Sequence, residues 1–462
     1  MIFEIHAERD STDSKVFYYD NEINTLKDQD GNVFEYSEQQ ERDLDLYTIF
    51  DSEHPLKKSK DVQVLKIQMG LSCNYSCDYC SQRFVERPPE TSKKDIDDFM
   101  NKLEVFNFNE ELGLKVEFWG GEPLVYWKTL KPLAEAIWEK FDSWERKPQF
   151  SIITNGSVFT PEIIDWLMQY SFNISISHDG PGQSVRGPDP FDDPEQKELI
   201  LSFYRMQTRL GRGFSFNPML NSKNKSRKEI YDWFVELTGD KDVKLGEGGI
   251  VDAYDEGGVT NSLQSLQDHF DFRKTAFVDL YSTDGMIGFI GQVNKINSFM
   301  DDILSHRSVR HLHQKCGMDN EHVIAIDMRG NVITCQNVSA VETAMNGEKH
   351  LGGNLDDFDN IEIKSAKHWS KREHCSACPV LHLCKGSCMF LEGKYWDTSC
   401  ANSYSDNVVM FALAFEGITG YIPTLIKTDH LPAERQDIFG TVLEHKEKPQ
   451  KKIIPIKSIN NQ

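Results

Sequence analysis

The ten cysteines constrain this chain more than any other feature, because they fall into two groups with none outside them. The first group reads Cys73-Asn-Tyr-Ser-Cys77-Asp-Tyr-Cys80, and the second comprises Cys316, Cys335, Cys375, Cys378, Cys384, Cys388 and Cys400. Iron–sulfur clusters are held by cysteine thiolates, usually four to a cubane. Three thiolates on one tight loop can hold three irons of a cubane and leave the fourth iron open. The remaining seven fall one short of the eight that two more cubanes take. Zinc is the alternative: it suits a lone Cx3CxxC, and a zinc ribbon suits the run from Cys375 to Cys388.

The rest of the sequence narrows the setting. The start, Met-Ile-Phe-Glu-Ile-His-Ala-Glu, lacks the basic region and apolar core of a signal peptide. No run of about 18 apolar residues marks a membrane helix. A cytoplasmic location is therefore expected, where clustered cysteines are metal ligands rather than disulfides. The formal charge is −22, from 51 basic and 73 acidic residues. Such a surface repels nucleic acid, so neither nucleic acid nor a membrane is expected as partner. It could attract a basic peptide, or serve solubility alone.

Residues 1–60 read as a small β-rich unit, with strands predicted at 2–7, 15–19 and 32–36, a hairpin turn at Asp30-Gly31 and a short helix at 41–50. From residue 61, strands alternate with helices. Strands are predicted at 62–69, 114–119, 150–154, 172–177, 213–220 and 242–247. Helices are predicted at 92–106, 127–141, 161–170, 195–207 and 228–238, and a longer one at 263–280. Ser92 suits an N-cap and Pro161 a first turn. Six strands in this order imply a parallel sheet with right-handed crossovers. The unusual turns follow the strands' C-terminal ends, the face on which βα-barrels gather active sites. From Cys316 the chain is loop-rich, as where metal sites substitute for a core. The basic stretch at 445–452 and the polar residues after it predict a flexible tail.

The Cx3CxxC loop, with Tyr79 just before its last cysteine, resembles the signature of the radical S-adenosylmethionine (SAM) superfamily. The resemblance implies an α/β fold with a partial (β/α)6 barrel over residues 61–283. It implies that Cys73, Cys77 and Cys80 hold a 4Fe-4S cluster whose open iron binds the amino and carboxylate groups of SAM. Reduction of the sulfonium then gives a 5′-deoxyadenosyl radical, which takes a hydrogen atom from substrate. Gly120-Gly121-Glu122-Pro123 is similar to the family's second signature, which implies contact with the methionyl amino group. Thr154, Asn155, Ser177 and Asp179 resemble pocket-lining positions, with Ser177 and Asp179 nearest the ribose. His178 departs from the small or apolar residue expected there. It reads as a proton carrier or as a histidine lying behind the pocket or in solvent.

The second cysteine group resembles the seven-cysteine SPASM extension of peptide-modifying radical SAM enzymes, and the likeness spans roughly residues 61–405. It implies two auxiliary 4Fe-4S clusters, so three in all with the SAM-binding one. Cys375, Cys378, Cys384 and Cys400 would hold one, and Cys316, Cys335 and Cys388 the other. The missing eighth thiolate leaves one auxiliary iron to a non-cysteine ligand, water or substrate. His313, Asp319 and His322 are candidates by sequence. The implied organisation is an N-terminal region at 1–60, the barrel at 61–283, a bridging helical region at 284–315, a SPASM domain at 316–410 and a C-terminal extension at 411–462.

The resemblance implies a maturase that oxidises a side chain of a ribosomally made precursor peptide and forms a thioether, carbon–carbon or ether cross-link. Its partners would be that peptide and an external one-electron reductant such as flavodoxin or ferredoxin. A formylglycine-forming sulfatase maturase is the alternative within the class. In that family an Asp follows the second SPASM cysteine, whereas Gln336 follows Cys335 here. A zinc-binding scaffold without radical chemistry is the alternative outside it. No catalytic base is singled out: Glu247, Asp252 and Asp255 lie near the sixth predicted strand, where ordinary loop carboxylates are common.

Overall fold

The computed structural model describes residues 1–38, 46–246, 248–282 and 289–440. The chain opens with antiparallel strands β1 (Ile2–Asp10), β2 (Asp13–Asp20) and β3 (Thr25–Asp28). It then alternates through β4 (Val64–Gln68), α1 (Ile96–Lys102), β5 (Lys115–Trp119), α2 (Trp127–Lys140), β6 (Gln149–Thr154), α3 (Pro161–Gln169), β7 (Asn173–Ile176), α4 (Pro194–Arg209), β8 (Phe214–Phe216) and α5 (Arg227–Thr238). Helices α6 (Glu256–Asn261), α7 (Leu266–Ser282) and α8 (Ile290–Leu304) follow. The cysteine-dense part carries β9 (Val323–Asp327), β10 (Asn331–Ile333), β11 (Leu351–Asn354), α9 (Leu381–Cys384) and the long α10 (Gly393–Thr419). Strand β12 (Ile422–Lys427) and α11 (Ala433–Gln436) end the described chain.

The α/β fold with a mostly parallel sheet stands as expected, and its helices begin where the sequence provides caps. Ser92 Oγ accepts from Lys94 N at 3.3 Å, and Thr160 Oγ1 accepts from Ile163 N ahead of Pro161. The main sheet has the order β11-β10-β9-β4-β5-β6-β7-β8, with every neighbour from β9 to β8 parallel.

Among the described residues six strands run parallel, but the sixth is not the predicted one. Within 242–246, pairing reduces to one parallel bridge, Leu245 to Phe216, and residue 247 lies outside the described residues. Asp242, Lys244 and Gly246 interrupt the apolar run that a strand covered on both faces needs. The sixth strand is β9, which joins the far side of β4 with Val64 opposite Val323 and Gln68 opposite Asp327. Ile324, Ala325 and Ile326 are fully buried there, as a covered strand requires. The cysteine-dense part is thus continuous with the barrel sheet.

The terminal regions also differ from expectation. The third N-terminal strand is β3, and the predicted strand at 32–36 contributes only the bridge from Val33 to Lys27. Of the helix predicted at 41–50, residues 41–45 lie outside the described residues, and 46–50 form no regular element. Strand β12 pairs with β1, so the N-terminal sheet has the order β12-β1-β2-β3. The expected boundary between residues 410 and 411 falls inside α10. That helix carries the N-terminal sheet: Phe17 meets Phe415 edge-on at 5.1 Å, and Tyr19 meets Phe411 at 5.4 Å. The tail predicted from residue 445 lies outside the described residues. Among the described residues, no helix is long and apolar enough to cross a membrane.

Phe17 is 2% exposed at this junction. Phe17→Ala is expected to destabilise the chain by about 3–5 kcal/mol, by lost burial and a cavity, read as a lower urea midpoint. Ile2→Ala, at a residue 63% exposed, is the control expected to shift it little.

Candidate active site

The first cysteine loop is built on a backbone contact. It leaves β4 and runs against the residues that end β5. Met69 N donates to Trp119 O at 2.7 Å, Gly121 N to Gly70 O at 3.1 Å, and Glu122 N to Ser72 O at 3.0 Å. A Cβ on Gly121 would stand 2.4 Å from Ser72 O and 2.6 Å from Leu71 O, and one on Gly120 would stand 2.8 Å from Gly70 O. Real Cβ atoms do not approach that closely, so only glycine allows the two segments to meet. The Tyr126 hydroxyl accepts from Ser72 N at 2.7 Å and braces the loop from below.

The Glu122 side chain then ties the ends of β5 and β6 together. Its Oε1 accepts from Leu124 N at 3.0 Å and from Thr154 Oγ1 at 2.7 Å, and its Oε2 accepts from Asn155 N at 2.7 Å. Glu122 is 1% exposed, and burial raises its pKa above the ordinary carboxylate value despite these donors. Asn155 Nδ2 donates to Asn74 Oδ1 at 2.8 Å, and Asn74 Nδ2 donates to Ser157 Oγ at 2.8 Å. A residue of the cysteine loop is thereby fixed to the end of β6.

These elements surround an open cleft of about 950 Å³. Cys73, Cys77, Cys80, Gly120, Gly121, Glu122, Thr154, Asn155 and Ser177 all line it. Three expected pocket residues do not. Pro123 is buried at the start of a short 3-10 turn. Asp179 is fully buried and its carboxylate is already engaged: Arg186 Nε and Met219 N both donate to Oδ1 at 2.8 Å, and the Tyr79 hydroxyl donates to Oδ2. Tyr79 and Asp179 therefore form a layer behind the cleft and present Arg186 to it. Burial opposes the charge of Arg186, but Asp179, Tyr79 and Cys77 together outweigh it and hold its pKa above the ordinary value. Arg186, with Arg83 and Arg87, lines the cleft beside the thiols. Sequence reasoning missed these arginines, because no motif spacing marks them. His178 is fully buried, accepts from Gly180 N through Nδ1 at 3.0 Å, meets Asp189 through Nε2 at 3.0 Å and stacks on Trp233. It props the fourth strand end and lies outside the cleft lining.

The second group divides in space. Cys375, Cys378, Cys384 and Cys400 line one small cavity together with Trp396, Tyr404 and Arg435. Arg435 Nη1 donates to Cys400 Sγ at 3.5 Å. Cys316, Cys335 and Cys388 lie within one another's electrostatic reach. Burial raises the pKa of Cys335 to about 12 and of Cys388 to about 11. Metal binding must therefore displace protons here. Of the three sequence candidates beside this trio, Asp319 lies near Cys316, and its Oδ2 accepts from Gln314 N at 2.9 Å and meets His313 at 3.3 Å. His322 turns away to Asp61 O at 2.7 Å. Tyr254, which hydrogen-bonds Cys388, and Asp252 beside it were missed as members of this group; Glu247 lies outside the described residues. All ten cysteines are free thiols. A thiol-only donor set, three on a loop beside a cleft and four around a cavity, fits iron–sulfur clusters. Among the described residues, no three His, Cys, Asp or Glu side chains converge as one bare metal ion requires.

Residues 67–197 match the Radical SAM superfamily. That part of the chain is similar to the radical SAM superfamily. Among curated proteins it is 24% identical over 358 residues to the radical SAM cyclopropyl synthase TigE of Paramaledivibacter caminithermalis, covering 74% of this chain and 71% of that one. It is also 24% identical to a cysteine-type anaerobic sulfatase-maturating enzyme of Clostridium perfringens, covering 68% of this chain and 85% of that one. Among solved structures, native anSMEcpe with bound AdoMet and Cp18Cys peptide shares the fold at a TM-score of 0.52 and 20% identity, over 77% of this chain and 99% of that one.

In this chain the two thiol groups are joined by short links. Gln68 Nε2 donates to the carbonyls of Gln336 and Val338 at 2.7 and 2.6 Å, just past Cys335, and Gln82 Nε2 reaches the same Gln336 carbonyl at 3.4 Å. A Cβ on Gly257 would stand 2.0 Å from Asp78 O, so α6 lies directly on the first cysteine loop. Just before α6, Ala253 N donates to Ser399 Oγ at 2.7 Å, next to Cys400.

Gly121→Ala is expected to displace the cysteine loop and lose the iron of the first site, about four irons per chain by iron analysis. Glu122→Gln places an amide N–H against Asn155 N–H. It is expected to lower kcat/KM for SAM cleavage about tenfold or more, the scale of a lost charge-assisted bond, measured as 5′-deoxyadenosine formed.

Proposed function

We propose that this enzyme reductively cleaves SAM and uses the 5′-deoxyadenosyl radical to oxidise a side chain of a ribosomal precursor peptide, closing an intramolecular cross-link. The observation that carries this reading is the placement of three thiols, the Gly120-Gly121 backbone and Arg186 around one cleft. The Gln336 carbonyl ties that cleft to the second thiol group. Similarity to a protein named as a cyclopropyl synthase supports the bond-forming class.

Cys73, Cys77 and Cys80 would hold the SAM-binding cluster, which when bound supplies the electron that cleaves the sulfonium. Gly120 and Gly121 leave backbone open to the methionyl amino group. Arg186, held by Asp179, offers a guanidinium to the SAM carboxylate, since a charge-assisted contact of this kind is strong and directional. Glu122 acts on the cofactor indirectly, by fixing Thr154 and Asn155 in the wall. Ser177 presents a hydroxyl to the same cleft. Cys375, Cys378, Cys384 and Cys400 would hold a closed auxiliary cluster, and Cys316, Cys335 and Cys388 one with an iron left for another ligand. The peptide loses two hydrogen atoms. One would leave in 5′-deoxyadenosine and the other as a proton and an electron, for which a cluster held by the second thiol group would be an acceptor. A flavodoxin or ferredoxin would supply the first electron.

Formylglycine formation is the second reading, favoured by similarity to sulfatase-maturating enzymes. Gln336 weighs against it, since an amide in that place cannot act as the base.

The test incubates the anaerobically reconstituted full-length chain with SAM, dithionite and a short peptide encoded beside its gene. About twelve irons per chain are expected for three cubanes, with stoichiometric 5′-deoxyadenosine and a peptide lighter by two hydrogens. Cys73→Ala is expected to abolish 5′-deoxyadenosine. Formylglycine in a sulfatase peptide, with no cross-linked product, would reverse the order of the two readings.

A further inference from the structure

Among the residues that line the four-thiol cavity, Arg435 alone carries a permanent charge. It stands on α11, thirty-five residues past Cys400, and its Nη1 donates to Cys400 Sγ at 3.5 Å. An arginine this close to an interior usually meets a carboxylate. Among the described residues, none forms an ion pair with this one. Asp437, two residues on, turns Oδ1 to the N–H groups of Phe439 and Gly440 at 3.1 and 2.7 Å. The guanidinium is therefore directed at a thiol.

Two neighbouring helices hold it there. Tyr404 follows Cys400 by one turn of α10, so the two side chains share a face. The Tyr404 ring lies 5.2 Å from the Arg435 guanidinium, and its hydroxyl donates to Arg435 O at 2.5 Å. Arg273 of α7, 3% exposed, grips the segment on either side. Its Nη1 donates to the carbonyls of Glu434, Asp437 and Ile438 at 3.4, 3.1 and 3.3 Å, while its Nε donates to Ser405 Oγ at 3.1 Å. A stretch of chain beyond the last cysteine is thus anchored with its one arginine against Cys400.

Reduction adds negative charge to a cluster that its thiolates already make anionic. A nearby cation and an N–H bond to a ligating sulfur both favour the reduced form, and cluster potentials follow net charge and hydrogen bonds to the sulfurs. Val380, Leu381, Trp396 and Leu431 give the cavity largely apolar walls, across which a charge is poorly screened. We propose that Arg435 sets the reduction potential of the auxiliary cluster that Cys375, Cys378, Cys384 and Cys400 would hold, raising it through Cys400. The proposal rests on the cluster reading of these four thiols and adds the residue that poises the centre. A centre that is easier to reduce suits the electron that peptide oxidation releases.

The test is a redox titration, followed by electron paramagnetic resonance, of the anaerobically reconstituted full-length chain carrying Cys73→Ala, Cys77→Ala and Cys80→Ala. Only the auxiliary clusters then contribute, at about eight irons per chain. Arg435→Gln is expected to lower the midpoint of one auxiliary cluster by about 59 mV, a tenfold change for one electron, and to leave the other in place as an internal reference. Arg435→Lys, which keeps the charge, is expected to retain most of the parent's midpoint. Iron content and cluster absorbance equal to the parent's show that each variant is loaded. An unchanged midpoint in Arg435→Gln, an equal drop in both clusters, or Arg435→Lys as low as Arg435→Gln would each overturn the proposal. So would loss of iron from Arg435→Gln, which would make the residue a structural one. Failure of the cluster reading registers differently, as zinc in place of iron in the parent itself.

Discussion

The contact on which the site depends is made by backbone alone. Residues 69–72 and 119–122 lie so close that carbonyl oxygens occupy the space where side chains at 120 and 121 would begin. Three inter-segment hydrogen bonds are formed there, and the cysteine loop inherits its path from them. Everything that lines the cleft is then referred to that seam. Glu122 spans from it to Thr154 and Asn155, and Asn155 returns to the cysteine loop through Asn74. The result is a closed circuit of hydrogen bonds around the place where a cofactor must be oriented, with its one carboxylate spent on holding the walls.

A second circuit joins the barrel to the cysteine-dense part. Strand β9 extends the parallel sheet past β4, so the turn after Gln68 and the turn after Asp327 leave the same edge in the same direction. Gln68 and Gln82 then meet the carbonyl beside Cys335. On the other flank, residues 253–258 touch both Asp78 of the first loop and Ser399 of α10. The spacing between the two thiol groups is thus set by sheet register and by short polar bonds rather than by a linker. An electron path built across such a span keeps a fixed length.

Much of this was legible in the residues. Cysteine spacing, the strand-ending glycines and the cap residues Ser92 and Thr160 act locally, and local chemistry survives folding unchanged. The grouping of four and three thiols was drawn from resemblance; Cys375, Cys378, Cys384 and Cys400 line one cavity. What could not be read was long-range. Nothing near Val323 announces that it lies beside Val64, and nothing near Ile422 announces that it pairs with Glu8. Asp179 was expected at the pocket from resemblance alone. Here Arg186, close to it in sequence, and Tyr79, far from it, claim it first. The arginines were invisible for the same reason: a single cation has no period.

The pairing of β12 with β1 has a consequence for how the chain is made. Its first two strands leave the ribosome with Phe3, Ile5 and Phe17 bare and one edge open, and the strand that closes that edge is about four hundred residues behind. Unpaired edges and apolar surface are what nascent chains aggregate through, and distant pairings form slowly. Helix α10, the surface beneath that sheet, carries Cys400 and also arrives late. The final enclosure of the protein therefore coincides with completion of the four-thiol cavity. Loading of that cavity and burial of the chain's own beginning become a single late event in its synthesis.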